Sequence, residues 1–251
     1  MKQLEYKKIL SGIGALAIFG LFLFLIWMGY PGKDNFQLDK LLPFSNSIFQ
    51  GWLITIAASI FVLILSILFG FGLYLLQSSK ILVFKYLGSI FNEVTFGLPL
   101  IVFLLIFYFF ITVPLNLDNR FIAGVLAMSL YMAPYMKNLF DGAIKTIDDL
   151  QYQAMTVFGF TPFQKYRYII IPQILRVVIP PLIGNLTIIV KGSALLNFIS
   201  VPELYNQVTT AQSTTYAVVE GYLLLGVLYL IITIPLIRIT KFFEKKVASW
   251  S

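Results

Sequence analysis

Long apolar runs alternate with short polar stretches along the whole chain. Ile9–Tyr30, Gly51–Leu76, Phe91–Val113, Phe121–Phe140, Ile174–Ile199 and Ala217–Ile239 each hold about the 20 residues that a helix needs to cross bilayer hydrocarbon. The pattern predicts an all-α, polytopic membrane protein with six transmembrane helices. Gly97 and Pro99 interrupt the third run, and Pro180, Pro181, Gly184 and Gly192 interrupt the fifth. The first run is longer than the apolar core of a secretory signal peptide and lacks a small-x-small cleavage site before Pro31, so it reads as a signal-anchor helix.

Residues 142–172 follow a different period. Ile147, Leu150, Ala154, Val157 and Phe158 recur at helical spacing, with Asp148, Asp149, Gln151, Gln153 and Thr156 between them, which predicts an amphipathic helix that lies against something. Asp148 and Asp149 suit the N-cap and first turn, and Gly159 suits a C-cap turn. Thr161 and Pro162 repeat the start signal, predicting a second helix over Phe163–Ile170 that stops at Pro172. Periodicity leaves two roles open: a helix flat on the inner leaflet, with Lys145, Lys165 and Arg167 near anionic lipid, or a helix bound to a protein partner.

Charge supplies the orientation. Six crossings with both termini in the cytoplasm place Lys2, Lys7, Lys8, Lys80, Lys85, Lys145, Lys165, Arg167, Arg238, Lys241, Lys245 and Lys246 inside, against Lys33, Lys40 and Arg120 outside. Pro31–Phe49, Pro114–Arg120 and Ser200–Tyr216 are then outer loops, and residues 148–170 are cytoplasmic.

Composition narrows the chemistry. The chain is 59% hydrophobic and 12% charged, with a mean hydropathy of +0.88. No Cys or His is present, which excludes thiolate nucleophiles, disulfides, His acid–base chemistry and most transition-metal sites. The net charge of +7 follows from basic residues between apolar runs, so nucleic acid is not an expected partner, whereas membrane lipid is. No Gly-x-x-x-x-Gly-Lys-Ser/Thr loop is present to cradle a nucleotide.

Polar groups inside apolar runs mark a candidate transport route. Glu93, Asn138, Asn185, Asn197 and Lys191 are costly in lipid unless they face protein or water, and the irregular backbone at Gly97-Leu98-Pro99 and Pro180-Pro181 is tolerated where it lines a cavity. The plain alternatives are snorkelling of Glu93 to the inner headgroups and Lys191 to the outer ones, and a packing kink at the paired prolines. A secondary transporter would add acidic groups at the midplane and an inverted repeat; Glu93 is the one interior-leaning acid. An intramembrane enzyme would be confined to Ser/Lys or Asp pairs.

The central stretch resembles a known family at these residues. Gln153-Ala154-Met155, Gly159 and Ile169-Ile-Ile-Pro172 follow the E-A-A, Gly, Ile-x-Leu-Pro signature of permease subunits of ABC importers. The polar amino-acid uptake branch extends the pattern, and this chain carries Gly142-Ala-Ile144, Gln151, Phe158-Gly159, Pro162-Phe-Gln164, Ile171-Pro-Gln173, Arg176, Pro180-Pro181, Asn185, Lys191 and Val201-Pro-Glu203-Leu204 in order. The resemblance implies a five-helix type I permease core over residues 47–251, preceded by an N-terminal anchor and outer loop over residues 1–46. It implies that residues 148–170 hold a coupling helix, with Asp149, Gln153, Ala154, Met155, Phe158 and Gly159 contacting a partner ATPase. Glu93, Pro99, Asn138, Asn185, Lys191 and Ser193 become the candidate pathway. No cofactor is expected in this chain, since ATP and Mg would be bound by the ATPase. The other implied partners are a second permease chain, identical or paralogous, and an extracytoplasmic solute-binding protein, in the cell membrane of a prokaryote.

Several positions depart from the branch pattern. The usual E-x-F-R-G-T-P stands as Glu93-Val-Thr-Phe96-Gly97-Leu98-Pro99, K-D-T-S-L stands as Lys191-Gly192-Ser193-Ala194-Leu195, and Gln153 replaces the usual Glu. These losses of charge leave open a less polar solute or a second permease chain that carries the missing charges.

Overall fold

The computed structural model describes residues 2–29 and 36–248. Residues 30–35, with Lys33 and Asp34 of the expected first outer loop, lie outside the described residues. Among the described residues the chain is helical throughout, without a strand. Helix α1 covers Lys2–Gly29 and α2 covers Ser45–Gln77, preceded by a 3-10 helix at Leu38–Phe44. Then come α3 (Leu82–Gly97), α4 (Leu100–Phe107, extended by a π turn at Tyr108–Thr112) and α5 (Arg120–Lys145). Helix α6 is Asp149–Val157 and α7 is Pro162–Gln164; a π segment at Lys165–Ile170 joins α7 to α8 (Ile171–Gly192), and a 3-10 turn follows at Ser193–Ile199. The chain ends with α9 (Leu204–Thr215) and α10 (Val218–Ala248).

Four described stretches are long and apolar enough to cross a membrane: Ser11–Gly29, Leu38–Gln77, Pro162–Ile199 and Val218–Val247. The pair α3 and α4, bent by 119° at its break, raises the number to five. The expected six is not reached on length and composition, and the missing crossing falls on α5. That helix measures roughly 39 Å at 1.5 Å per residue, yet it is less apolar because it is the helix most enclosed by protein. Gly124, Ser129, Met132, Ala133, Pro134 and Met136 are all buried on it.

Helices α2 and α5 run side by side in the same direction and form the centre. Phe61 meets Phe121 edge-on, and further down Phe71 meets Phe140. Between these pairs Gly70 lets the backbones close, since a Cβ there would lie 2.5 Å from the Met136 Cβ and 2.8 Å from the Ala133 carbonyl. Helix α8 returns along α5, with Leu196 filling the space left by Gly124. Ala58, Val62, Leu104, Met128, Met136, Ile189 and Leu196 make one continuous core.

Three expected boundaries move. Part of the Pro31–Phe49 loop is structured: Leu41 of the 3-10 helix is buried with Ile48, Leu204 and Val208. The expected outer loop Ser200–Tyr216 contains α9, which Glu203 caps and which Tyr216 ends in a left-handed turn. Pro172 does not stop the second helix, because the π turn just before it changes the hydrogen-bond spacing and accommodates the missing N–H.

The α2–α5 approach yields a paired prediction. Gly70→Ala should lower resistance to unfolding in detergent by about 1–3 kcal/mol through overpacking. Gly72→Ala, whose Cβ would meet nothing within 4 Å, should leave it unchanged; equal losses in both variants would refute the close-approach account.

Candidate functional site

The site has two parts, an exposed helical segment at one end of the bundle and a set of interrupted helices inside it. Asp148 caps α6 by accepting the Leu150 N–H at 2.9 Å, and Asp149 adds a carboxylate to the first turn. Gly159 turns the chain at φ +70°, a left-handed conformation that glycine adopts without cost. Thr161 and Gln164 exchange capping hydrogen bonds, at 2.9 Å to the Thr161 N–H and 3.3 Å from the Gln164 N–H. The two arms are clasped by Lys165 Nζ donating to Thr156 Oγ1 at 2.8 Å and Gln173 Nε2 donating to Gln151 Oε1 at 3.1 Å.

The predicted apolar stripe divides. Ile147 is buried with Met155 and Ile170, and Tyr152, Phe160 and Ile169 pack around them. Leu150, Val157 and Phe158 are 67%, 85% and 79% exposed, and Ala154 is exposed beside them. Ile147 precedes the cap and so lies off the helix face, leaving Met155 as the side chain that anchors this nine-residue helix. What remains outside is an apolar face bordered by Asp149, Gln151 and Gln153, next to a groove of about 490 Å³ lined by Gln151, Ala154, Met155, Phe158, Phe160 and Gln173.

Inside the bundle, the break at Gly97-Leu98-Pro99 lies against α5. The Tyr131 hydroxyl donates to the Leu98 carbonyl at 3.2 Å, satisfying an acceptor that the broken helix leaves free. Phe96 stacks edge-on against Tyr135 at 5.0 Å, so the side chain standing where the branch has Arg packs on an aromatic ring. Leu100 reaches the backbone of Gly192, beside Lys191 at the end of α8. Asn185 is half-buried, its amide 3.8 Å from the Met136 sulfur, and Ser193 is buried, donating to the Val190 carbonyl at 2.9 Å. Glu93, Pro99, Asn138 and Lys191 are exposed in the single chain. The structure therefore gathers the Leu98 break, Tyr131, Tyr135 and the end of α8, while Glu93 and Asn138 stay on the outside of the bundle.

Glu203, which in the sequence stands only as part of the Val201-Pro-Glu203-Leu204 motif, takes a structural role here. It is fully buried. One carboxylate oxygen accepts the Asn206 N–H at 2.8 Å, and the other accepts the Thr55 hydroxyl at 3.2 Å and the Tyr229 hydroxyl at 3.4 Å. The Thr55 oxygen in turn accepts the Leu204 N–H at 3.1 Å. One side chain thus joins α2, α9 and α10. Burial pushes its carboxyl up to about 7, against the hydrogen bonds that favour the charged form. The signal for it was a lone acid in a polar stretch without Lys or Arg.

Residues 82–249 match the family model described as binding-protein-dependent transport system inner membrane component. A probable glutamine ABC transporter permease protein of Bacillus subtilis, GlnM, is 29% identical over 198 residues, 78% of this chain and 91% of the relative. The histidine/lysine/arginine/ornithine transport system permease protein HisM of Escherichia coli is 29% identical over 205 residues, 76% of this chain and 86% of the relative. Among solved structures, the crystal structure of an amino acid ABC transporter with histidines superposes with a TM-score of 0.75 at 26% identity, over 84% of this chain and 98% of that one. The fold is also that of the inward-facing MetNI methionine ABC transporter, with a TM-score of 0.57 at 17% identity.

Glu203 makes stability depend on pH. An acid raised from 4.5 to about 7 contributes fully below its unfolded value and loses that contribution as pH rises through the folded one. Resistance to unfolding should fall between pH 4.5 and 7, and Glu203→Gln should flatten that profile. Glu203→Ala, which leaves two buried hydroxyls without their acceptor, should cost about 1–3 kcal/mol. A profile equally steep in Glu203→Gln would assign the pH dependence elsewhere.

Proposed function

We propose, for a chain that belongs to the family of binding-protein-dependent transport system inner membrane components, that the solute it helps to import is an amino acid or a similar small polar molecule. As a multi-pass permease component of an ABC importer, it is a transport subunit, and the ion-coupled secondary transporter is set aside. The amino-acid assignment draws on the transport proteins it is similar to, GlnM and HisM. Its departures from the branch pattern, Phe96 for Arg and Leu98 for Thr at the break and Gly192 for Asp after Lys191, leave the charge of the solute to experiment.

In this proposal ATP and Mg are held by a partner ATPase, and α6 is the part that it grips. The observation that carries the docking assignment is the exposed apolar face of Leu150, Ala154, Val157 and Phe158 on a short helix clamped to the bundle by Met155 and by the two clasps. Such a face would bury apolar area in a groove of the ATPase, and the rigid attachment would carry motion of the ATPase into α5 and α8. The neutral Gln153 would keep hydrogen bonding at the position where the family usually has a carboxylate, without the charge. Both termini would lie in the cytoplasm. Two permease chains, identical or paralogous, would enclose the solute path, with Glu93, Asn138 and Lys191 exposed on the single chain and available to line it. A solute-binding protein would dock on the outer side, at α9 and the Leu38–Phe44 turn.

Chemically the chain's own groups would hold the interrupted helices in shape. Tyr131 would keep the Leu98 carbonyl satisfied while α3 and α4 shift, and Ser193 would do the same for the Val190 carbonyl. No residue needs to exchange a proton with the solute.

Purification of the parent chain from its native membrane should recover an ATPase, while Val157→Asp and Phe158→Glu, placed on exposed side chains, should fold normally and lose it. Reconstitution with that ATPase and the cognate binding protein should then give ATP-dependent uptake of an amino acid. Retention of the ATPase by both variants would refute the docking face, and ATP-dependent uptake of only a large or apolar solute would refute the substrate class.

A further inference from the structure

Helix α5 is enclosed by its neighbours except along one stripe. From Ala123 to Lys145 its exposed positions are Tyr135, Asn138, Gly142 and Lys145, at offsets of 3, 4 and 3 that keep them on a single face. Lipid is a poor neighbour for that face. Asn138 would be costly in hydrocarbon, and the irregular backbone at Gly97-Leu98-Pro99, tied to α5 through Tyr131, is tolerated beside protein or water. The stripe therefore suits the solute path between two permease chains.

The end of the stripe nearer the break is aromatic. Phe96 meets Tyr135 edge-on at 5.0 Å, Tyr135 lies 6.1 Å from the Tyr131 ring, and Tyr131 meets Phe103 at 5.5 Å. Phe96 and Tyr135 remain 44% and 36% exposed, so packing has not used up their rings. Glu93 stands one helical turn before Phe96 on the same face of α3 and is exposed as well. A carboxylate beside electron-rich rings attracts a cation, which gains most within about 6 Å of a ring centroid, and repels an anion. The chain's own cations do not fill this place. Lys137 is ion-paired with Asp141 on its own helix, and Lys145 lies ten residues beyond Tyr135, about 15 Å along the axis. Lys191 stands on the other side of the break, next to the Gly192 that packs on Leu100.

We infer that Glu93, Phe96 and Tyr135 form a cation-recognition patch on the solute path. The Glu93 carboxylate accepts hydrogen bonds from an ammonium or guanidinium group of the solute, and the two rings cover that group. The patch deepens the amino-acid reading proposed above and rests on it. Two sources share this chemistry: the α-ammonium that every amino acid carries, and a side-chain ammonium or guanidinium.

The test uses the permease assembly with its ATPase in lipid nanodiscs, without the binding protein, so that selection by that protein does not enter. Equilibrium binding of radiolabelled L-arginine, L-glutamine and L-glutamate is measured. Glu93→Gln should weaken L-arginine about tenfold, and Phe96→Leu roughly 2- to 30-fold, while Phe96→Tyr, which keeps a ring, should bind as the parent does. Phe96→Arg, which restores the residue usual in the branch, should weaken L-arginine more than Phe96→Leu. Recovery of the ATPase with each variant shows that it is folded. Loss confined to L-arginine assigns the patch to a side-chain cation, and equal loss for L-arginine and L-glutamine assigns it to the α-ammonium. Unchanged binding of every probe in both Glu93→Gln and Phe96→Leu overturns the patch and leaves amino-acid import standing. A parent assembly that binds none of the three also overturns the patch; if it shows no ATP-dependent amino-acid uptake with its binding protein either, the amino-acid reading falls too.

Discussion

In hydrocarbon, two helices gain little by hiding apolar side chains from lipid that is equally apolar, so the distance to which their backbones can approach decides whether they stay together. Here that distance is set where α2 meets α5 at Gly70, with Met136 and the Ala133 carbonyl filling the place of the missing side chain. Once these two helices touch, the 3-10 turn after α8 can lay Leu196 over Gly124, and α9 can lie over Gly51 close to the Glu203 backbone. The core of Ala58, Val62, Leu104 and Met128 is what these contacts enclose.

Polar groups answer to a complementary constraint, that burial without a partner is costly, and among the described residues Asn92 Oδ1 and Thr95 Oγ1 are left buried without one. Glu203 is enclosed with three donors around it, from Thr55, Asn206 and Tyr229, which turns an acid that would be costly in the bundle into the knot between α2, α9 and α10. At the break between α3 and α4 the constraint is met by a tyrosine hydroxyl on another helix. The interruption thus rests against α5, through this bond and the Phe96–Tyr135 ring contact.

Helix α6 sits at the far end of the same α5, across the short turn from Lys145 to Asp148. Its inner side chain, Met155, is buried among Ile147 and Ile170, while its outer face stays free. A nine-residue helix has too little internal stability to hold its place alone. Its caps and clasps convert it into a rigid extension of α5 and α8.

The sequence alone determined the class of molecule, because apolar runs of bilayer length, basic segments between them and the missing Cys and His are local properties that folding cannot alter. It also placed the caps of the exposed segment, since Asp148, Gly159 and Thr161-Pro162 act within a turn of their own position. Tertiary structure decided the rest. Which side of α6 faces outward turned on Met155 finding Ile170, a contact between two elements that periodicity on one of them cannot see. Whether α5 counts as a crossing turned on its enclosure by neighbours, which relaxes the demand for apolar residues that a hydropathy window imposes. Continuation of the helix through Pro172 depended on the preceding π turn, and the role of Glu203 depended on Thr55 and Tyr229 arriving from distant parts of the chain. Local chemistry is written in neighbouring residues; the pairing of surfaces is settled only when several helices close on one another.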